Sequence, residues 1–271
     1  MVRYVKNNKP VERLVSFIPC ETITGEAICQ QLISCFQDVG LDPTMCRAMT
    51  LDGAGNMAGR QRGCAACFNR LYPKAIHHYC SSHDLNLALC KSCEVKEIHL
   101  MLDSIKQLGI FFKYSPKRSR RLEKAVDDIN LIRPLENQIA KSKLGLFCET
   151  RWIEKHTTLY DFDIMFEAIL QCLDAIAISE SNWDARTVGE AYGLMKRVTD
   201  STFVAAFQTV LYFFGFTKGL SKKLQGSSID IVQGYEMVET VRQVLRNARS
   251  DETVYDTVFQ KMETMATVAG L

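Results

Sequence analysis

The chain has 271 residues, 47% of them hydrophobic and 24% charged, and a formal net charge of +2. That balance describes an ordinary globular protein with room for one large domain or two small ones, and it excludes disorder over most of the length. It also supplies no whole-molecule attraction to nucleic acid, so any such binding has to come from local patches. Eleven cysteines, an odd number with no secretory segment ahead of them, read as reduced thiols rather than a disulfide framework. Arg3, Lys6, Lys9, Glu12 and Arg13 rule out a signal peptide, and no run of about 18 apolar residues is present to span a bilayer, so the expectation is an intracellular protein.

Residues 2–5 and 11–18 are rich in β-branched and aromatic types, and the turn-forming Asn7-Asn8-Lys9-Pro10 between them predicts a hairpin. A helix follows over residues 24–39: Thr24 caps it, Ile28, Leu32, Cys35, Phe36 and Val39 share a face, and Gly40 ends it. Residues 47–52, RAMTLD, read as a short strand that ends in an acid and runs into Gly53-Ala54-Gly55-Asn56. In α/β folds the carboxyl ends of strands collect ligands and catalytic groups, and small residues let the backbone turn sharply beside them. Asp52 is therefore the best single candidate for an active-site carboxylate. The alternative is that Asp52 and Asn56 only shape a turn before the next helix.

Residues 63–71 are expected to be helical, 75–79 to form a strand, and His83 to begin a helix through Cys93, with Cys80-x-x-His83 at the junction. The pairs Cys64/Cys67 and Cys90/Cys93 bracket this motif at a spacing that resembles a zinc site. Both pairs, however, sit at i, i+3 inside apolar helical patterns, where cysteine packs as a small hydrophobe. A zinc module built on them with Cys80 and His83 is the competing reading.

Beyond Ile98 the pattern is helical, with Ile98, Met101, Ile105, Leu108 and Phe112 at helical spacing. Ser115-Pro116 then opens a basic segment containing Lys117, Arg118, Arg120 and Arg121. Such a segment can bind phosphates or serve as a nuclear-import signal; a solvated first helical turn is the plainer explanation, although positive charge there opposes the helix dipole. Arg151 and Trp152 offer a phosphate-binding fork beside a stacking face, against the plainer reading of a buried tryptophan next to a surface arginine. Leu159, Phe162, Phe166, Ile169, Leu173 and Ile176 then form one stripe, and residues 188–198, 203–216 and 231–245 add further amphipathic helices, the last with Ile231, Tyr235, Val238, Val241 and Leu245 on one face. This half reads as a helical bundle without catalytic spacing.

Five stretches in order, LDGAGNMAG (51–59), HYCSSHDLNL (78–87), SPKR (115–118), CETRW (148–152) and LSKKLQGSSIDI (220–231), resemble the hAT superfamily of DNA transposases. The likeness covers almost the whole chain, and the ordered set is more specific than any one motif. It implies an α/β plus α fold class: a partial RNase H-like core over residues 1–157, with a mixed sheet lacking its first strand, and part of a helical insertion domain over 158–271. In that family three acids bind Mg²⁺ or Mn²⁺ and drive hydrolysis and strand transfer at DNA ends. By that resemblance Asp52 matches the second acid, Cys80 and His83 match a CxxH pair, and Arg151 with Trp152 match an RW motif near the DNA end.

The first acid of the family would lie ahead of residue 2 and the third beyond the insertion domain. The resemblance therefore implies a degenerate relative without transposase activity and without a cofactor, in which Asp52 would ligate metal only if the missing acids were restored. A central strand is also lacking, which leaves two sheet edges unpaired. DNA is the implied partner, through Lys117, Arg118, Arg120, Arg121, Arg151 and Trp152; no membrane is involved, the family's dimerisation segment is missing, and the implied location is the nucleus. An intracellular interaction scaffold using the inherited fold is the alternative.

Overall fold

The computed structural model describes residues 1–146, 152–179, 182–224, 226 and 231–271. Its contacts divide the chain into two compact units, one of Met1–Ala88 with Lys223–Gly234, the other of Leu89–Lys222 with Tyr235–Leu271. The boundary that the resemblance implies, between residues 157 and 158, falls inside a continuous helix.

The first unit opens on a hairpin of β1 (Val2–Lys6) and β2 (Lys9–Arg13), antiparallel, with Val5 opposite Pro10 and Lys6 opposite Lys9. Asn7 and Asn8 both take positive φ, +51° and +57°, the signature of a two-residue type I′ turn that matches the twist of the flanking strands. Because these two asparagines complete the turn alone, the second strand begins at Lys9, two residues earlier than expected, and ends at Arg13. Pro10 is tolerated there because the two-stranded sheet has free edges.

Helix α1 (Gly25–Asp38) is capped as expected, the Thr24 hydroxyl accepting from the Ala27 N–H at 3.3 Å. A Cβ on its first residue, Gly25, would stand 2.2 Å from the Arg62 carbonyl oxygen and 2.7 Å from the Cys64 nitrogen, so glycine alone allows this approach. Next come β3 (Ala48–Leu51), the single turn α2 (Gly55–Ala58), α3 (Cys64–Leu71) and β4 (Ile76–Tyr79). Strands β3 and β4 pair in parallel, from Ala48 opposite Ile76 to Leu51 opposite Tyr79. Cys29, Met49, Cys64, Ala65, Cys67, Phe68 and Ala75 form the small core beneath them. In place of one mixed sheet, the described strands form two separate sheets of two strands each, because no strand lies between the hairpin and the parallel pair to join them.

Helix α4 (Ser81–Ser92) leads into the second unit, whose described secondary structure is helical: α5 (Lys96–Lys113), α6 (Pro116–Ile132), α7 (Trp152–Asp174) running on as a π turn (Ala175–Ser179), α8 (Ala185–Val198), α9 (Ser201–Leu224), α10 (Ile231–Arg249) and α11 (Glu252–Ala269). The α7 stripe from Leu159 to Ile176 is buried as its periodicity predicts, and it packs with Ile105 and Leu108 of α5, Leu122 and Ile129 of α6, and Met265 of α11. Phe162 lies at the centre, 5.0 Å from the Phe207 ring and 5.8 Å from that of Phe203. By length and composition α9 could cross a membrane, and its Phe203, Val204, Phe207 and Val210 are buried in this core. The stripe expected on α10 is a different case: Tyr235 is 73% exposed and Val238, Val241 and Leu245 are half-buried, with Ala248 alone among its described residues fully inside.

Two stability outcomes follow from this packing. Phe162→Ala should cost about 3–5 kcal/mol in urea unfolding, because the surrounding rings cannot collapse into the space. His156 is buried and, among the described residues, its Nδ1 has no hydrogen-bond partner; burial, and then the charge of Lys218, push its pKa below 6.5. Its stabilisation is therefore present above pH 6.5 and lost as pH falls through the depressed folded value, where the unfolded chain takes up the proton first. Urea midpoints should drop on acidification below pH 6.5, and less steeply in His156→Gln.

Candidate functional site

The parallel register that pairs Leu51 with Tyr79 makes Asp52 and Cys80 neighbours at the carboxyl ends of β3 and β4. The Cys80 N–H extends the ladder by donating to the Leu51 carbonyl at 3.0 Å, and the Cys80 carbonyl accepts the Asp84 N–H at 2.9 Å as α4 begins. His83, in the first turn of α4, lies against the glycine after Asp52: a Cβ at Gly53 would be 3.5 Å from its Nε2. Residues far apart in the chain thus meet at one strand end. Asp52 is exposed, while Cys80 and His83 are half-buried. Asn86 of the same motif is buried, and its Oδ1 has no hydrogen-bond partner among the described residues.

Both readings of Asp52 find a counterpart here. It stands at a strand end, and its Oδ1 accepts the Ala54 N–H at 3.2 Å, which shapes the turn into α2. Mg²⁺ and Mn²⁺ are held by sets of oxygens, usually several carboxylates. Asp52 offers one carboxylate, already engaged through one oxygen, beside a thiol and an imidazole. Among the described residues no three His, Cys, Asp or Glu side chains come together to hold a metal ion. This donor set does not fit a hard divalent cation.

The two CxxC pairs fall in different units. Cys64 and Cys67 are buried beside Phe68, and Cys64 shares a hydrogen bond with Cys29. Burial, with the neighbouring Cys29 and Cys67, pushes the Cys64 thiol up to about 12. In the second pair, burial lifts Cys93 to about 11, and its thiol donates to the Leu89 carbonyl at 3.2 Å. Cys90 accepts from the Lys155 Nζ at 3.1 Å. Cys64, Cys67 and Cys93 are all buried, the environment of a cysteine that packs as a small hydrophobe.

Of the basic segment, Ser115 caps α6 by accepting from the Arg118 N–H at 3.3 Å. Lys117 donates to the Asn182 carbonyl and sits 4.0 Å from the centre of the Trp183 ring. The Arg118 guanidinium lies 4.2 Å from the Phe111 ring centre and donates to Glu190 at 3.2 Å. Two of the four basic residues are thus turned onto the protein's own surface; Arg120 is exposed and Arg121 half-buried. Cys148, Glu149, Thr150, Arg151 and the side chain of Trp152 lie outside the described residues.

One feature escapes a reading by sequence alone. A cleft of about 540 Å³ in the first unit is lined by Glu26, Arg60, Gln61, Arg62, Asn69 and Arg70. The available signal was the Arg-x-Arg spacing directly after the glycine turn, in GRQRG at residues 59–63. Arg70, one helix further on, joins them only in three dimensions.

Alkylation with mass spectrometry at mildly alkaline pH should label Cys20 and Cys80 in the native protein and leave Cys29 and Cys64 unmodified until urea unfolds it. Treatment with a zinc chelator should leave the unfolding transition unchanged. Native labelling of Cys64 as fast as Cys20 would contradict its place in the core.

Comparison with curated proteins finds similarity over 259 residues, 94% of the chain, to the "52 kDa repressor of the inhibitor of the protein kinase" of Mus musculus, at 25% identity. The Homo sapiens protein of the same name is 24% identical over 259 residues. The chain spans about a third of the length of these relatives, 34% and 33% respectively. No family model matches the sequence, and no solved structure matches it. What the comparisons show is a distant similarity, along nearly the whole chain, to proteins named as repressors.

Proposed function

We propose that this chain is part of a hAT transposase-derived protein that binds nucleic acid in the nucleus and no longer cleaves it. The observation that carries this reading is the parallel β3–β4 pair, which brings Asp52 together with Cys80 and His83, residues of two motifs that the resemblance treats as one site. The pairing of the strands, antiparallel in the hairpin and parallel in β3–β4, also supports it, since the resemblance implies a core with both senses of pairing. The name of the relatives, repressor, agrees with a nuclear role that needs no catalysis. The proposed inactivity is supported by the donor set among the described residues: activation of an attacking oxygen by two metal ions needs several acids around it, and Asp52 stands beside a thiol and an imidazole.

A second reading, an interaction scaffold, is favoured by the exposed Tyr235 of α10 and Tyr255 and Phe259 of α11. It predicts that a bound protein shields these side chains, whereas the first reading predicts that nucleic acid leaves them untouched.

Purified protein incubated with Mg²⁺ or Mn²⁺ and labelled duplex carrying a transposon end should give no cleavage product, and should give a mobility shift that weakens as salt is raised. Cleavage that Asp52→Ala abolishes would overturn the inactivity. Absence of any shift at low salt would overturn the nucleic-acid binding.

A further inference from the structure

We infer that the arginine-lined cleft of the first unit is a site for the phosphodiester backbone of a nucleic-acid strand. The inference rests on the nucleic-acid-binding reading above and assigns to it residues that none of the five motifs singled out.

The cleft is built on closely packed backbone. Gly25 brings the start of α1 onto the carbonyl of Arg62, and a Cβ at Gly63 would stand 2.3 Å from the Gly59 nitrogen, so the turn carrying Arg60, Gln61 and Arg62 is closed by glycines on either side. The Asn56 amide donates to the Ile23 carbonyl at 3.0 Å and ties α2, which leads into this turn, to the segment ahead of α1. Across from this turn, α3 contributes Asn69 and Arg70 to the lining of the cleft. The Asn69 amide is held by the Ala75 carbonyl at 2.8 Å, which fixes that wall.

The charge on this frame is left uncompensated. Among the described residues Arg60 and Arg62 form no ion pair and no side-chain hydrogen bond, and Arg70 is engaged through Nη2 alone, to the Cys67 sulfur at 3.1 Å. Three guanidinium groups therefore face one carboxylate, that of Glu26. This is the reverse of the α6 segment, where Lys117 and Arg118 are spent on Trp183, Phe111 and Glu190.

The chemistry selects the ligand. Guanidinium forks match the paired oxygens of a phosphate, and the Gln61 amide adds a neutral donor. No aromatic side chain lines the cleft, so it offers no stacking face for a base. Its volume of about 540 Å³ exceeds the needs of a single phosphate. An open, cationic cleft without a base platform suits a passing backbone, read without regard to sequence.

The test compares the full chain with Arg60→Ala/Arg62→Ala, whose exposed side chains form no ion pair or side-chain hydrogen bond among the described residues and whose loss should leave the circular dichroism spectrum and unfolding midpoint unchanged. Binding of a fluorescent duplex of arbitrary sequence is measured by anisotropy over a range of salt. The double variant should bind at least tenfold more weakly at low salt, and the slope of log affinity against log salt should fall by about 1.8, the value for two lost phosphate contacts on a duplex. Arg60→Lys/Arg62→Lys should restore most of that slope. Should the wild type bind and the double variant match it in affinity and slope, the cleft assignment fails while the nucleic-acid reading stands. A wild type that binds no duplex overturns both. Inorganic pyrophosphate that binds through Arg60 and Arg62 without being displaced by duplex overturns the strand assignment in favour of a free phosphate ligand.

Discussion

The parallel pairing of β3 with β4 is the constraint on which the first unit depends. A parallel pair cannot be closed by a tight turn, so the chain between the strands has to travel back, and here it does so through α2 and α3. That crossover places Phe68, Cys64 and Cys67 under the strands and sets the turn before α3 against the start of α1. One register thereby decides both features of interest: Asp52 beside Cys80 and His83 at one end, and the arginine cleft between α1 and α3. Two short strands are marginal by themselves, and burial of Met49 and Ala75 against α1 and α3 is what steadies them.

The second unit rests on a different principle. Its core is a helical one in which the rings of Phe162, Phe203 and Phe207 cluster and α5, α6, α8 and α9 contribute aliphatic side chains around them. Aromatic packing of this kind needs no polar network to be stable. Its periphery is more instructive for function. Lys117 over Trp183 and Arg118 over Phe111 show basic side chains used as packing material, their charge met by rings and by Glu190. A basic run in a sequence is therefore an ambiguous sign, and what separates a structural arginine from a binding one is whether the fold supplies it with a partner.

The chemistry of Asp52 turns on its company. A carboxylate at a strand end in an α/β arrangement is placed where catalytic acids belong. Hydrolytic metal chemistry, however, depends on several oxygens around one ion, and a neighbouring thiol and imidazole do not substitute for them. The same residue then serves the fold by holding the Ala54 N–H. Turn formation and strand pairing fix where this carboxylate stands independently of any chemistry it performs.

Features that depend on neighbours in sequence were determined by the sequence itself. The Thr24 cap, the α7 stripe from Leu159 to Ile176, the strand just ahead of Asp52 and the burial of Cys64 and Cys67 all follow from local periodicity or turn chemistry, which act over a few residues. β2 starts two residues before its apolar run because Asn7-Asn8 close the turn without Lys9 and Pro10. Tertiary structure alone decided what depends on distant partners: that Lys117 and Arg118 meet Asn182, Trp183 and Glu190, that the α10 stripe remains half-covered, and that Arg70 joins Arg60 and Arg62 in one cleft. The reason is physical. Periodicity says which face of an element is apolar or charged, and only the packing of elements says what that face will meet.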